Sequence, residues 1–139
     1  MSVEIILLLF DFGLLVLIWI VQAIIYPSFL HFDTKNLIKW HRIYTSRFSI
    51  IVIPLMLGQL FISMYLFLLY VNAFTVLSII IIILIWLSTF LQFVPIHTNI
   101  SKGRVNEAML VSLVNKNWIR TVLWTILFLY NFVQIILHY

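Results

Sequence analysis

His41 and His97 are the residues of this chain with the clearest capacity for chemistry, and polar and aromatic side chains cluster around both. An imidazole can ligate haem iron or a metal. Gln22, Tyr26, Arg42, Gln92, Asn117, Trp118 and Arg120 all stand close to the same ends of hydrophobic runs. Two Trp-x-Arg triplets, Trp40-His41-Arg42 and Trp118-Ile119-Arg120, place an arginine at matching points of the two halves. Such arginines suit an anion clamp through charge-assisted hydrogen bonds. Together with Gln59, these residues make a candidate pocket for a lipophilic or anionic ligand. A separate polar pair, Asp11 and Asn131, is expected on the opposite side.

Other chemistries are excluded by composition or spacing. The absence of cysteine removes disulfides, Cys-ligated zinc, iron–sulfur clusters and thiol catalysis. Neither His41 nor His97 lies in a His-x3-His or Glu-x2-His pattern, so no cofactor is expected. Haem or a metal held by His41 and His97 is the alternative, which would make the chain a small membrane oxidoreductase. There is no nucleophile elbow, and three isolated glycines cannot build a phosphate loop.

The elements that must position these residues are membrane spans. The chain is 65% hydrophobic and 9% charged, too little polar surface for a soluble domain. Four segments, approximately 3–25, 48–70, 74–94 and 118–137, meet the roughly 20 apolar residues that cross a hydrocarbon core of about 30 Å. Runs such as Ile79–Ile85 lack the alternation of a membrane barrel, which leaves helices. The N-terminal segment carries Glu4 and Asp11 and no basic region, and reads as a retained span.

All eight Lys and Arg residues fall in two windows, Lys35–Arg47 and Lys102–Arg120, that join spans one to two and three to four. The positive-inside rule places both windows in the cytoplasm and both termini outside. Lipid headgroups account for the +4 net charge, and nucleic acid is not an expected partner. The expected partners are membrane lipids, with a small lipophilic ligand or a partner membrane protein at the pocket. Thr34 and Asn106 are candidate caps for two short amphipathic helices in these windows.

Span one carries Asp11, Leu15, Ile18, Gln22 and Tyr26 on one helical face, and span four carries Asn117, Thr121, Trp124, Phe128 and Asn131. Asp11 in a span is by default a functional candidate, and a proton- or ion-coupled transporter acting as an oligomer is a further reading. Pro54, just before Gly58 and Gln59, should kink span two and is a secondary site marker. Gln22…Pro27…His31 and Gln92…Pro95…His97, each followed by a basic segment and a Trp-x-Arg, form a weak internal repeat.

Ile25-Tyr26-Pro27, Pro54-Leu55-Met56-x-x-Gln59, Val94-Pro95-x-His97 and Asn117-Trp118-x-Arg120-Thr121-x-x-Trp124-Thr125 resemble an uncharacterised family of small four-span bacterial inner-membrane proteins. That resemblance covers nearly the whole chain and implies a bacterial cytoplasmic membrane; it brings no activity with it. The expected fold is all-α, one antiparallel four-helix membrane bundle over residues 1–139 with two short amphipathic cytoplasmic helices. The leading expectation for function is a binding or accessory protein with a cytoplasmic-side polar pocket.

Overall fold

The computed structural model describes residues 2–138, and among these there is no strand. Four long helices carry the chain: α1 (Val3–His31), α2 (Thr34–Leu69), α3 (Ala73–Ser101) and α4 (Glu107–His138). Each is long and apolar enough to cross a membrane, which marks a multi-pass membrane protein. Helix α1 packs on α2 and α4, and α3 packs on the same two neighbours, so the four close into a ring. The outward surface is apolar, with Ile50, Phe61, Leu68 and Leu91 largely exposed, as lipid contact demands.

Helix starts follow from side-chain caps. Asp33 caps α2 by accepting from the Asn36 backbone N–H, so the cap lies one residue before Thr34. Asn72 opens α3 with a reciprocal capping box to Thr75. Asn106 Oδ1 accepts from Met109 N at 2.8 Å and opens α4. Helix α3 closes on Gly103 at φ 77°, where Gly103 N reaches Ile100 O and Arg104 N reaches Asn99 O. Glycine fits there because that left-handed backbone carries a steric cost for any Cβ.

Neither basic window forms a short helix of its own. Residues 34–49 and 107–118 contain neither proline nor glycine, and both continue without a break into α2 and α4. They are the first turns of long helices. Pro54 does not end α2 either; it sits on the exposed side, apart from the core.

Two π-helical turns interrupt the regular helices, at Val21–Ile25 in α1 and Thr89–Phe93 in α3. In each, the next residue but one is a proline, Pro27 or Pro95. Proline has no N–H to offer the preceding turn and its ring crowds the carbonyl there, so a widened turn relieves both problems. The internal repeat is therefore expressed in the backbone at an equal offset from proline. It aligns Ile25 with Phe93 and Pro27 with Pro95, and leaves Gln22 and Gln92 out of register.

Candidate functional site

Each helix contributes one inward stripe. On α2 it is Leu37, His41, Tyr44, Met56, Gln59, Ser63 and Leu66, and on α4 it is Leu110, Leu113, Asn117, Arg120, Thr121, Trp124, Leu127 and Asn131. Leu127 takes the buried position on α4, and Phe128 is half-buried beside Phe12. Polar members of these stripes gather at two levels.

The level next to the basic windows holds Gln22, Tyr26, His41, His97, Asn117 and Arg120. Arg120 donates through Nε and Nη2 to Asn117 Oδ1 at 3.1 and 2.6 Å, and through Nη2 to the Tyr26 hydroxyl oxygen at 3.2 Å. Its Nη1 reaches Thr89 Oγ1 at 3.4 Å, and its Cζ lies 3.4 Å from the centre of the Phe93 ring. Asn117 Nδ2 donates to Gln22 Oε1 at 2.9 Å, and Thr121 Oγ1 donates to the same oxygen at 3.3 Å. Tyr26 pairs with His97 Nε2 at 2.9 Å, His97 Nδ1 with His41 Nε2 at 2.7 Å, and His41 Nδ1 with Ser101 Oγ at 3.0 Å.

Arg120 is 7% exposed, and every one of these hydrogen bonds goes to a neutral group. A buried guanidinium is ordinarily held by a carboxylate, because desolvation of an uncompensated cation is costly. Here aromatic and amide dipoles stand in for that anion. The guanidinium also carries more N–H groups than these contacts use, and it borders a cavity of about 480 Å³. Thr89, His97 and Tyr26 stand beside Arg120 in its wall, Thr45, Ser49, Ser101 and Lys102 also border it, and Leu14, Leu17, Ile18, Val52, Met56 and Trp124 are among its apolar lining.

The other level holds Asp11. Gln59 Nε2 donates to Asp11 Oδ1 at 2.6 Å and Asn131 Nδ2 donates to Asp11 Oδ2 at 2.5 Å. Ser78 Oγ donates to Asn131 Oδ1 at 2.9 Å, and Trp124 Nε1 reaches Gln59 Oε1 at 3.4 Å. Gln59 thus belongs with Asp11 and not with the histidines.

Three further candidates stand apart from the inner cluster. Arg42 is exposed and donates through Nε and Nη2 to Ser101 O at 3.0 and 2.8 Å, so it secures the end of α3 and is not a second clamp. Burial of His41 turns the next residue off the inward stripe, whereas in α4 it is Arg120 that is buried and Ile119 that is exposed. Trp118 is exposed and packs edge-on against Trp19, 5.8 Å between ring centres. Gln92 lies in the π-turn, and its Oε1 accepts from Ser88 Oγ of the same helix at 3.5 Å.

Ser101 and Phe93 were not among the expected site residues, although Phe93, His97 and Ser101 recur every four positions. All four ring nitrogens of His41 and His97 are engaged in hydrogen bonds. A metal or haem iron would have to displace one of these contacts. Comparisons with family profiles, with curated proteins and with solved structures find nothing that matches this chain.

Proposed function

We propose that this protein is an integral membrane binding protein whose cavity holds a long-chain amphiphile, with an oxygen-bearing head group at Arg120 and Tyr26. One observation carries the reading: a buried arginine with only neutral partners stands at the polar end of a largely apolar cavity. A head-group oxygen, anionic or carbonyl, supplies an acceptor for the guanidinium N–H that Asn117, Thr89 and Tyr26 leave unused. The apolar lining supplies the rest of the affinity, at about 25 cal/mol per Å² of tail removed from competing surroundings in water, less within lipid.

The same reading places the four helices antiparallel in a bacterial cytoplasmic membrane, with both basic windows inside and the Val71–Asn72 turn outside. Eight clustered positive charges and the short link between α2 and α3 support it. The cavity's polar end then lies on the cytoplasmic side, level with the headgroups.

The test is lipid analysis of protein purified in mild detergent. A stoichiometric amphiphile should accompany the wild type, and Arg120→Met should retain at most about a tenth of it, the loss of one charged hydrogen bond. Equal retention by the two proteins would remove Arg120 from binding and end the reading.

A further inference from the structure

Tyr26, His97, His41 and Ser101 form one unbroken chain of hydrogen bonds from the Arg120 end of the cavity to the turn that closes α3, where Ser101 and Lys102 line the same cavity. Its proton positions are constrained. Arg120 can only donate, so the phenol oxygen of Tyr26 accepts from it. The phenol hydrogen then points either to His97 Nε2 or into the cavity. In the first case His97 carries its proton on Nδ1 and donates to His41 Nε2, and His41 donates from Nδ1 to Ser101 Oγ. In the second case every contact reverses: Ser101 donates to His41 Nδ1, His41 Nε2 to His97 Nδ1, and His97 Nε2 to Tyr26. Both arrangements satisfy each contact with one donor and one acceptor.

The inference rests on the cavity reading above. We infer that this chain relays a proton between the Ser101 end and the head-group oxygen of the bound amphiphile, whose head group is therefore an ionisable one such as a phenol or hydroquinone. The step is balanced. The Tyr26 O–H bond breaks as the ligand O–H bond forms, and His97 Nε2–H replaces the proton on Tyr26. His41 Nε2–H passes to His97 Nδ1, the Ser101 hydroxyl proton passes to His41 Nδ1, and water restores Ser101. One proton enters and one leaves; no electron moves. Arg120 stabilises the phenolate that exists before protonation.

Two features favour a relay over mere packing. Around Asp11 and around Gln22 the chain satisfies buried groups with amides and hydroxyls, whereas a wire needs groups that can both accept and donate, and here it uses two imidazoles nitrogen to nitrogen. The far end also meets water: Ser101 is half-buried beside exposed Lys102 and Gly103, and its carbonyl is pinned by Arg42.

The experiment uses the full chain in lipid nanodiscs and a long-chain 7-hydroxycoumarin, a phenol whose excitation band reports its protonation. Energy transfer from tryptophan selects the bound probe, and a stopped-flow pH jump reads its proton exchange. His97→Gln and His41→Gln should each slow exchange by at least about tenfold, the low end of general acid–base effects. Probe affinity should change by less than about threefold in His41→Gln, whose side chain does not line the cavity. Tyr26→Phe keeps the ring and deletes the terminal hydroxyl, so it should slow exchange alike and decides the matter if a histidine variant does not fold. Wild-type exchange in all variants that bind the probe would overturn the relay and leave the cavity reading standing. Absence of specific probe binding by the wild type would remove both.

Discussion

His41 and His97 come from opposite halves of the chain and meet nitrogen to nitrogen at 2.7 Å, with ring centres 5.0 Å apart and planes 27° from parallel. One stands near the start of α2 and the other near the end of α3, so the pair exists only when the halves dock. Phe29 and Tyr44 flank His41, and Tyr26 flanks His97, which leaves the pair little freedom to reorient. The site is a property of helix packing, not of any local motif.

Arg42 and Arg120 should separate cleanly on mutation. Arg42→Ala removes two charged hydrogen bonds from the last carbonyl of α3, so amide exchange at Gly103 and Arg104 should quicken by about tenfold, as loss of about 1–2 kcal/mol of local protection requires. Amphiphile retention should stay at the wild-type level. Equal loss of ligand in Arg42→Ala and Arg120→Met would restore the symmetrical clamp.

Asp11 offers a sharper contrast. In Asp11→Asn the new carbonyl accepts from Gln59, its amide donates to a flipped Asn131, and Asn131 donates to Ser78, whose hydroxyl can accept. That variant should unfold within about 1 kcal/mol of the wild type in a detergent titration. Asp11→Leu orphans both amide donors and should cost about 2–6 kcal/mol, two buried groups at about 1–3 each. The double variant Asp11→Asn with Ser78→Ala should lose the tolerance of the single one. A large loss in Asp11→Asn alone would show that the carboxylate charge itself is needed.

Gly58 lets α1 approach α2 one residue before Gln59. A methyl group there would overlap the Phe10 ring. Gly58→Ala should therefore lower stability by about 1–3 kcal/mol, the usual range for overpacking. Phe10→Leu in the same chain should recover at least half of that. No recovery would place the strain elsewhere.

The chain has no cysteine, which makes topology simple to read. Single substitutions Val71→Cys and Lys102→Cys fall at exposed positions on the two opposite turns. In right-side-out vesicles an impermeant maleimide should label Val71→Cys and spare Lys102→Cys until the membrane is opened. The reverse pattern would invert the orientation and move the cavity's polar end outside.

The four helices and their inward stripes were legible because apolar length and 3.6-residue periodicity act locally. Tyr26, Gln22, Asn117 and Arg120 could be grouped for the same reason. Rotation about each helix was harder. The two Trp-x-Arg triplets match in letters, yet His41 is buried in one and Arg120 in the other, a difference that only the stripes Leu37–His41–Tyr44 and Asn117–Arg120–Trp124 reveal. Asp33 outcompetes Thr34 as a cap by a single position. The π-turns leave only their prolines as a trace, and the turns that hold Gln22 and Gln92 do not advance at the α-helical rate.

Those wide turns have a further consequence. Each holds one residue beyond what a regular turn needs, and each residue advances a helix by about 100°. In each, a backbone bond spans five residues where a regular helix spans four: Tyr26 N–H reaches Val21 O, and Val94 N–H reaches Thr89 O. Losing one residue between these partners would close the turn into a regular helix and leave Tyr26 stacked over Val21, still facing Arg120. Closing the turn at full length would instead swing Tyr26 about a quarter turn away from Arg120. The wide turns thus let each half carry one surplus residue without losing the register of the polar end.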